Sequence, residues 1–350
     1  MRAIALCVPI WACVAAAATN PKIDTAATRA VDKGVQWLLA AQGSDGGWGQ
    51  DGGGTSTVRR GVNMESAGND VANTAVALLA LAHSGHPVNS EPFRRGLRFI
   101  LTHLEQSPAE GLAVTSVQGT QIQRKLGPFI DTFFTSMLFG EIDGKLTDKQ
   151  LAGRVRAGLT RCVAKIERNQ LKDGSWNISG GWAPILGTSM ASRSLEMAAA
   201  KGVRVDTSVR KKVETYTLDA AKSPGRAADA TPVPLYLGAQ QLEQLTRTEA
   251  DRARNEQKIR ELSANLSNAN YVRGFGSMGG EEFFSYLNVS DSMRRAGGPE
   301  WVKWNTNMKG QLVGLQNDDG TWAGHHCITG RVAVTSAALL TLVADRQPAK

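Results

Sequence analysis

Lys33 to Trp48 reads KGVQWLLAAQGSDGGW, and this stretch decides the fold. Val35, Leu38, Leu39 and Gln42 recur at spacings of three and four, and Trp37 widens the same apolar face, so the first half is read as a helix. Asp45-Gly46-Gly47 then demands a tight turn, because glycine adopts backbone angles that other residues avoid. The turn ends on Trp48. The same spacing returns as Gln170, Asp173, Gly174 and Trp176, and again as Gln316, Asp319, Gly320 and Trp322. Three copies of Q-x-x-D-G-x-W in register, far apart in the chain, signify a repeat architecture.

A second signature alternates with the first. Thr74-Ala75-Val76-Ala77-Leu78-Leu79, Thr135-Ser136-Met137-Leu138, Thr188-Ser189-Met190 and Thr335-Ser336-Ala337-Ala338 open runs of small and apolar residues suited to close-packed helices. Gly238-Ala239 and Ser285-Tyr286 fill the remaining steps of about 50 residues, which gives six inner helices. Six outer helices are then expected near Val31, Leu97, Leu159, Val213, Ile259 and Leu312. The fold class is all-α, with six helical hairpins forming a single α6/α6 toroid. Residues 243–268 are read as the end of the fourth inner helix and an exposed, charged fifth outer helix, and residues 106–128 as a long loop. Gly274-Phe275-Gly276 followed by Gly279-Gly280 is a degenerate turn with Phe in place of Trp.

The run Lys33-Gly34-x-x-Trp37-Leu38-x-x-x-Gln42-x-x-x-Gly46-x-Trp48 resembles the QW motif of squalene and oxidosqualene cyclases. The resemblance is complete in the first copy and confined to the Q-D-G-W core in the other two. It identifies the chain as similar to the terpenoid cyclase and protein prenyltransferase superfamily, and it implies a closed double ring of helices with a central cavity.

Composition bounds the function. Of the 350 residues, the first 18 carry an export signal: Met1-Arg2, the apolar run Ala3–Ala17, and a small-residue site at Ala16-Ala17-Ala18. Residues 19–350 then form the toroid, exported to a periplasmic or extracellular space. A lipoprotein anchored through Cys13 is the less favoured alternative. The formal net charge of +8 is scattered and lacks a basic block interleaved with aromatics, which argues against nucleic acid and leaves room for contact with an anionic membrane surface. Cys162 and Cys327 remain after cleavage, and whether they pair is open.

Gln42, Trp48, Gln170, Trp176, Gln316 and Trp322 are read as structural, the Gln amide serving exposed backbone groups at a helix end and the Trp covering it. The candidate chemistry sits where inner helices begin. Asp70, Asp131, Glu281 and Arg331 lie at equivalent starts, with Pro184 and Pro234 at two others. In a toroid these starts surround one mouth, so distant repeats could assemble an acid or an acid–base pair there. Acids in a first turn equally cap free N–H groups and favour the helix dipole. His326, within His325-His326-Cys327 at the last inner helix, is the candidate base. Three neighbours in a row cannot all face one metal, though His326 with a distant acid could. Prenyltransferases hold zinc through an Asp-x-Cys pair and a later His. That pair is missing here, so neither a metal nor a cofactor is assigned. Tyr236, Phe283, Phe284 and Tyr286 are candidates to line the cavity.

The acid motif D-x-D-D of the class II cyclases is absent, as are D-D-x-x-D, G-x-S-x-G, H-E-x-x-H and a P-loop. The leading reading is therefore a toroid that binds an apolar or isoprenoid small molecule, with catalysis by Asp70, Asp131 or Glu281, Arg331 and His326 as an extension. The alternatives are a non-catalytic binding or scaffold protein and a polysaccharide lyase on the same kind of ring.

Overall fold

A computed structural model describes residues 21–50, 68–178, 184–222, 233–268 and 279–347. The export signal, Tyr236's side chain and most of the degenerate Gly-Phe-Gly turn lie outside them. The outer helices are α1 (Pro21–Ala40), α3 (Glu91–Gln106), α6 (Lys149–Arg168), α8 (Thr207–Lys222), α11 (Glu256–Leu266) and α13 (Gly298–Leu315). The inner helices are α2 (Val71–His83), α5 (Ile130–Ile142), α7 (Pro184–Ala200), α9 (Val233–Leu245), α12 (Gly280–Ala296) and α14 (Arg331–Leu342). Two short helices, α4 (Gln121–Leu126) and α10 (Glu249–Arg254), lie in connections. Among the described residues no helix is long and apolar enough to cross a membrane.

The inner helices close a ring: α2 packs on α5, α5 on α7, α7 on α9, α9 on α12, α12 on α14, and α14 on α2. Each has neighbours on every side, which is why α2 is buried continuously from Val71 to Leu81 instead of along one stripe. The outer helices bury one face only. In α3 that face is Phe93, Gly96, Leu97, Ile100, Leu101 and Leu104, at helical spacing. All six expected outer helices and all six inner ones are present. The charged segment is broken at Asn255, which caps α10 and precedes α11. The long loop carries α4, opened by a Thr120–Gln123 capping box.

The three Q-D-G-W turns share one hydrogen-bond scheme. The turn Gly gives its N–H three residues back, Gly46 to Gly43 O at 3.0 Å, Gly174 to Leu171 O at 3.0 Å and Gly320 to Asn317 O at 2.9 Å. Each Asp accepts from the backbone N–H two residues on: Asp45 from Gly47 at 2.9 Å, Asp173 from Ser175 at 2.9 Å and Asp319 from Thr321 at 3.0 Å. Each Gln amide donates both to its own turn and to the next outer helix: Gln42 to Pro92 O, Gln170 to Val209 O and Gln316 to Ala30 O. Each indole N–H donates to the last turn of its own outer helix, Trp48 to Leu38 O at 2.8 Å, Trp176 to Ile166 O at 2.7 Å and Trp322 to Leu312 O at 2.7 Å. The Trp backbone N–H meets the inner-helix Thr74, Thr188 or Thr335 hydroxyl, which gives the Thr of the second signature its role. A two-residue antiparallel bridge, Trp48 opposite Asp70 and Gly49 opposite Asn69, ties the first turn to its inner helix.

Ring closure follows from the same parts. A Cβ on Gly96 of α3 would lie 2.9 Å from Trp48, and one on Gly34 of α1 would lie 3.1 Å from Trp322. The sixth hairpin thus seats its Trp on the first as the first seats its Trp on the second. Gly174 has φ 92°, and a Cβ there would lie 2.3 Å from Lys212 O. Gly174→Ala is expected to cost about 1–3 kcal/mol of stability, read as a lowered urea midpoint at unchanged slope.

Candidate functional site

Because every inner helix follows its turn in the same sense, the six run parallel, with N-termini at one mouth of the ring and C-termini at the other. The N-terminal mouth is roofed. Gln121 of α4 accepts from Thr329 N at 2.9 Å and donates to Thr329 Oγ1 at 3.0 Å, joining the loop before α5 to the loop before α14. Gln50, beyond the first Trp, accepts from Gln121 N.

Beneath this roof lie the three candidate acids. Asp70 is the N-cap of α2 and accepts from Asn73 N at 2.9 Å and from the Asn73 amide at 2.8 Å. Burial raises its pKa to about 6, against the lowering effect of those bonds. Asp131, in the first turn of α5, is fully buried. Its two carboxyl oxygens lack a hydrogen bond of good geometry, though Gln123 and the Val114 backbone lie close enough to oppose the shift. Burial first, and the nearby Asp70 charge last, raise its pKa to about 7. Glu281, in the first turn of α12, is buried, with Oε1 3.9 Å from His326 Nδ1. His326 Nδ1 lies 3.1 Å from Cys327 Sγ. Burial and the Glu281 carboxylate hold the Cys327 thiol above its ordinary range, against a lowering effect of Lys125. Cys162 and Cys327 are both free: Cys162 is buried in α6, and burial pushes its thiol up to about 12.

Arg331 corrects the expectation of a shared ring of charges. Its guanidinium turns outward, 3.1 Å from Asp319 Oδ2 in the third Q-D-G-W turn and 5.2 Å from the centre of the Trp37 ring. It belongs to the seam between α14 and α1. Tyr286 also turns outward, its hydroxyl accepting from Gln311 of α13 at 3.2 Å.

The cavity opens at the other mouth, the C-terminal ends of the inner helices. Its volume is about 330 Å³. Leu79, Phe134, Met137, Met197, Leu287 and Leu340 line the apolar part. Phe134 packs against Phe284, with ring centres 5.9 Å apart and planes tilted by 35°. These two rings sit three residues on from Asp131 and Glu281, on the side of those acids toward the helix C-termini. Asp70, Asp131, Glu281 and His326 do not line it, and neither do Phe283, Phe284 and Tyr286.

Sequence reasoning missed the rim. His83, Lys145, Arg193, Lys201, Arg294 and Arg295 face Glu141 and Asp291 there, five permanent cations against two carboxylates. Arg193 is buried and ion-paired to Asp291, donates to Asn288 Oδ1 at 3.0 Å, and lies 3.6 Å from Glu243. Burial would raise the Asp291 pKa, but Arg193, with Arg294 and Arg295 behind it, holds it below the ordinary range. Burial acts the same way on Glu141, yet His83 at 3.4 Å and Lys145 bring it down to about 2. Parallel helix dipoles place partial negative charge at this mouth, which favours cations there. The signal in the sequence was charge inside an otherwise apolar inner helix: Arg193 between Ser192 and Ser194, and Arg294-Arg295 at the end of α12.

The closed ring and its repeated turns are of the kind that the resemblance of the first motif implies. A family model of the squalene-hopene cyclase C-terminal domain matches residues 8–117, the part containing the complete first motif. Among solved structures, a variant of the type II terpene cyclase MstE from Scytonema in complex with merosterolic acid A is similar at 12% identity, covering 93% of this chain and 99% of that one at a TM-score of 0.44. A second MstE variant, in complex with geranylgeranyl dihydroxybenzoate, is 11% identical over 93% of this chain and 99% of that one, at 0.45. Apo MstE is 13% identical over 91% and 98%, at 0.44. No curated protein matches.

Proposed function

We propose that this is an exported binding protein whose central cavity holds one apolar chain, isoprenoid or of similar girth, with an acidic head at the cationic mouth. The observation that carries the reading is the cavity itself: an apolar well of about 330 Å³ whose open end has an excess of Arg and Lys. A tail in the well gains burial at roughly 25 cal/mol per Å² of apolar surface. A carboxylate or phosphate at the rim meets guanidinium groups that bind it as forked donors. Binding, not turnover, is proposed. The raised carboxyls that could serve as acids, Asp70 and Asp131, do not line the cavity, and the D-x-D-D acid of the class II cyclases is missing. An open sugar-binding groove lined by Trp has no support in Trp48, Trp176, Trp304 and Trp322, which are buried. A scaffold without a deep pocket does not need the well.

The test is displacement of a fluorescent long-chain fatty acid by palmitate and by a polyprenyl phosphate. Wild-type protein is expected to bind, and Arg294→Gln with Arg295→Gln to weaken the acid about tenfold or more while sparing the matching neutral alcohol. Met137→Trp, which fills the well, is expected to abolish both. Folded wild-type protein that takes up neither probe, or a double variant that binds the acid as wild type does, would contradict the reading.

A further inference from the structure

We propose that Glu281, His326 and Cys327 form a three-donor site for a borderline-soft divalent cation, best matched by zinc, at the roofed mouth of the ring. The site is distinct from the cavity and does not depend on its occupant. Its donors come from two elements: Glu281 from the first turn of α12, and His326 and Cys327 from the loop before α14. His326 Nδ1 lies 3.1 Å from Cys327 Sγ and 3.9 Å from Glu281 Oε1. One ligand atom from each of the three lies within 4.8 Å of the others. Zinc bonds of about 2.0–2.3 Å in a tetrahedron separate ligand atoms by about 3.3–3.7 Å, so small side-chain shifts suffice.

The arrangement converges on a point; it does not relay a proton. A Cys–His–carboxylate relay uses both ring nitrogens, one toward the thiol and one toward the acid. Here the same nitrogen, Nδ1, faces both. The Glu281 side chain is only 5% exposed, and its second oxygen, Oε2, has no hydrogen bond of good geometry, with the Cys327 thiol close to the carboxylate. A buried carboxylate held by so little is costly, and a cation beside it removes the cost. The surrounding backbone leaves room for this carboxylate: a Cβ on Gly279 would lie 2.5 Å from both of its oxygens. Cys327 holds φ 63°, the left-handed backbone found at no other non-glycine residue among those described.

Charge and softness select the ion. One carboxylate, one thiolate and one neutral imidazole sum to −2, so a divalent cation makes the donor set neutral. A mixed O, N and S donor set disfavours calcium and magnesium, which prefer oxygen alone. Three protein ligands leave a fourth position, and the half-exposed His326 side chain opens that position to water. The prenyltransferase pairing of Asp-x-Cys is not reproduced; here the acid and the thiol come from different hairpins.

The full chain, stripped of metal and titrated with Co²⁺, reads the thiolate directly. Wild type is expected to bind one equivalent, with a thiolate-to-cobalt charge-transfer band and intense tetrahedral d–d bands. Cys327→Ser is expected to lose the charge-transfer band and Cys162→Ser to keep it. Zn²⁺ is expected to displace Co²⁺ and to raise the thermal midpoint of wild type but not of Cys327→Ser. His326→Ala, at a half-exposed position, is expected to lower the affinity at least about tenfold with little effect on the fold, and it decides the question if Glu281→Gln fails to fold. No band from folded wild-type protein, or a band that survives Cys327→Ser, would overturn the assignment.

Discussion

Trp322→Ala is expected to lower unfolding stability by about 3–5 kcal/mol, the range for deleting a buried aromatic from a packed core. The residue is wholly buried, its indole N–H is bonded to Leu312 O at 2.7 Å, and it rests on Gly34 of the first outer helix. The loss therefore combines a cavity with an unpaired carbonyl at the seam where the sixth hairpin meets the first. Gln316, which donates to Ala30 O, and Arg331, which stacks on Trp37, flank the same seam. Urea unfolding should show the loss, and hydrogen exchange should show the greatest gain in opening in α1 and α13. A change below about 1 kcal/mol would mean that the seam is not closed as described. Trp48→Ala, removing the equivalent residue between the first two hairpins, should cost a similar amount.

Asp131→Asn is expected to act in the opposite direction, and only above acidic pH. The folded-state pKa of about 7 lies above the unfolded value of 3.8, so the fold favours the neutral acid. Its destabilising effect is absent below about pH 4, grows as pH rises, and is complete above about pH 7. The shift corresponds to about 4 kcal/mol as an upper figure. Asn carries no charge at any of these values and keeps the size of the side chain. The variant should match or fall slightly below wild type at pH 4 and exceed it by several kcal/mol at pH 8. Denaturant midpoints across this range check the sign, and parallel curves would show that Asp131 is not buried as an acid.

The helical ring was legible because its signals are local and repeated. Gln42, Asp45, Gly46 and Trp48 answer needs of a single turn, and those needs recur at the two later turns that carry the same motif, residues 170–176 and 316–322. The inner helices were legible from Thr74, Thr188 and Thr335 together with the small residues after them. The site was less legible, because it depends on where a side chain turns once the ring has closed. Arg331 occupies the same helix-start position as Asp131, yet the outward pull of Asp319 and the Trp37 face takes it away from the mouth. Asp70, Asp131 and Glu281 each begin an inner helix, but the roof through Gln121 and Thr329 joins segments more than two hundred residues apart, which no spacing reveals. The cationic rim was missed for a similar reason. Lys145, Arg193, Lys201, Arg294 and Arg295 come from three inner helices and their following turns, and they share no motif. All but Arg193, which lies mid-helix in α7, sit at or just past a helix C-terminus, a trait that becomes informative only when six parallel helices bring those ends together.

The most direct test of the central claim is mass spectrometry of the organic extract of protein purified in its folded state from an exporting host. An apolar chain with an acidic head, recovered at close to one per protein and lost in Met137→Trp, is the predicted result. A clean extract from folded wild-type protein that also leaves long-chain acids unbound on addition would contradict the account of the cavity.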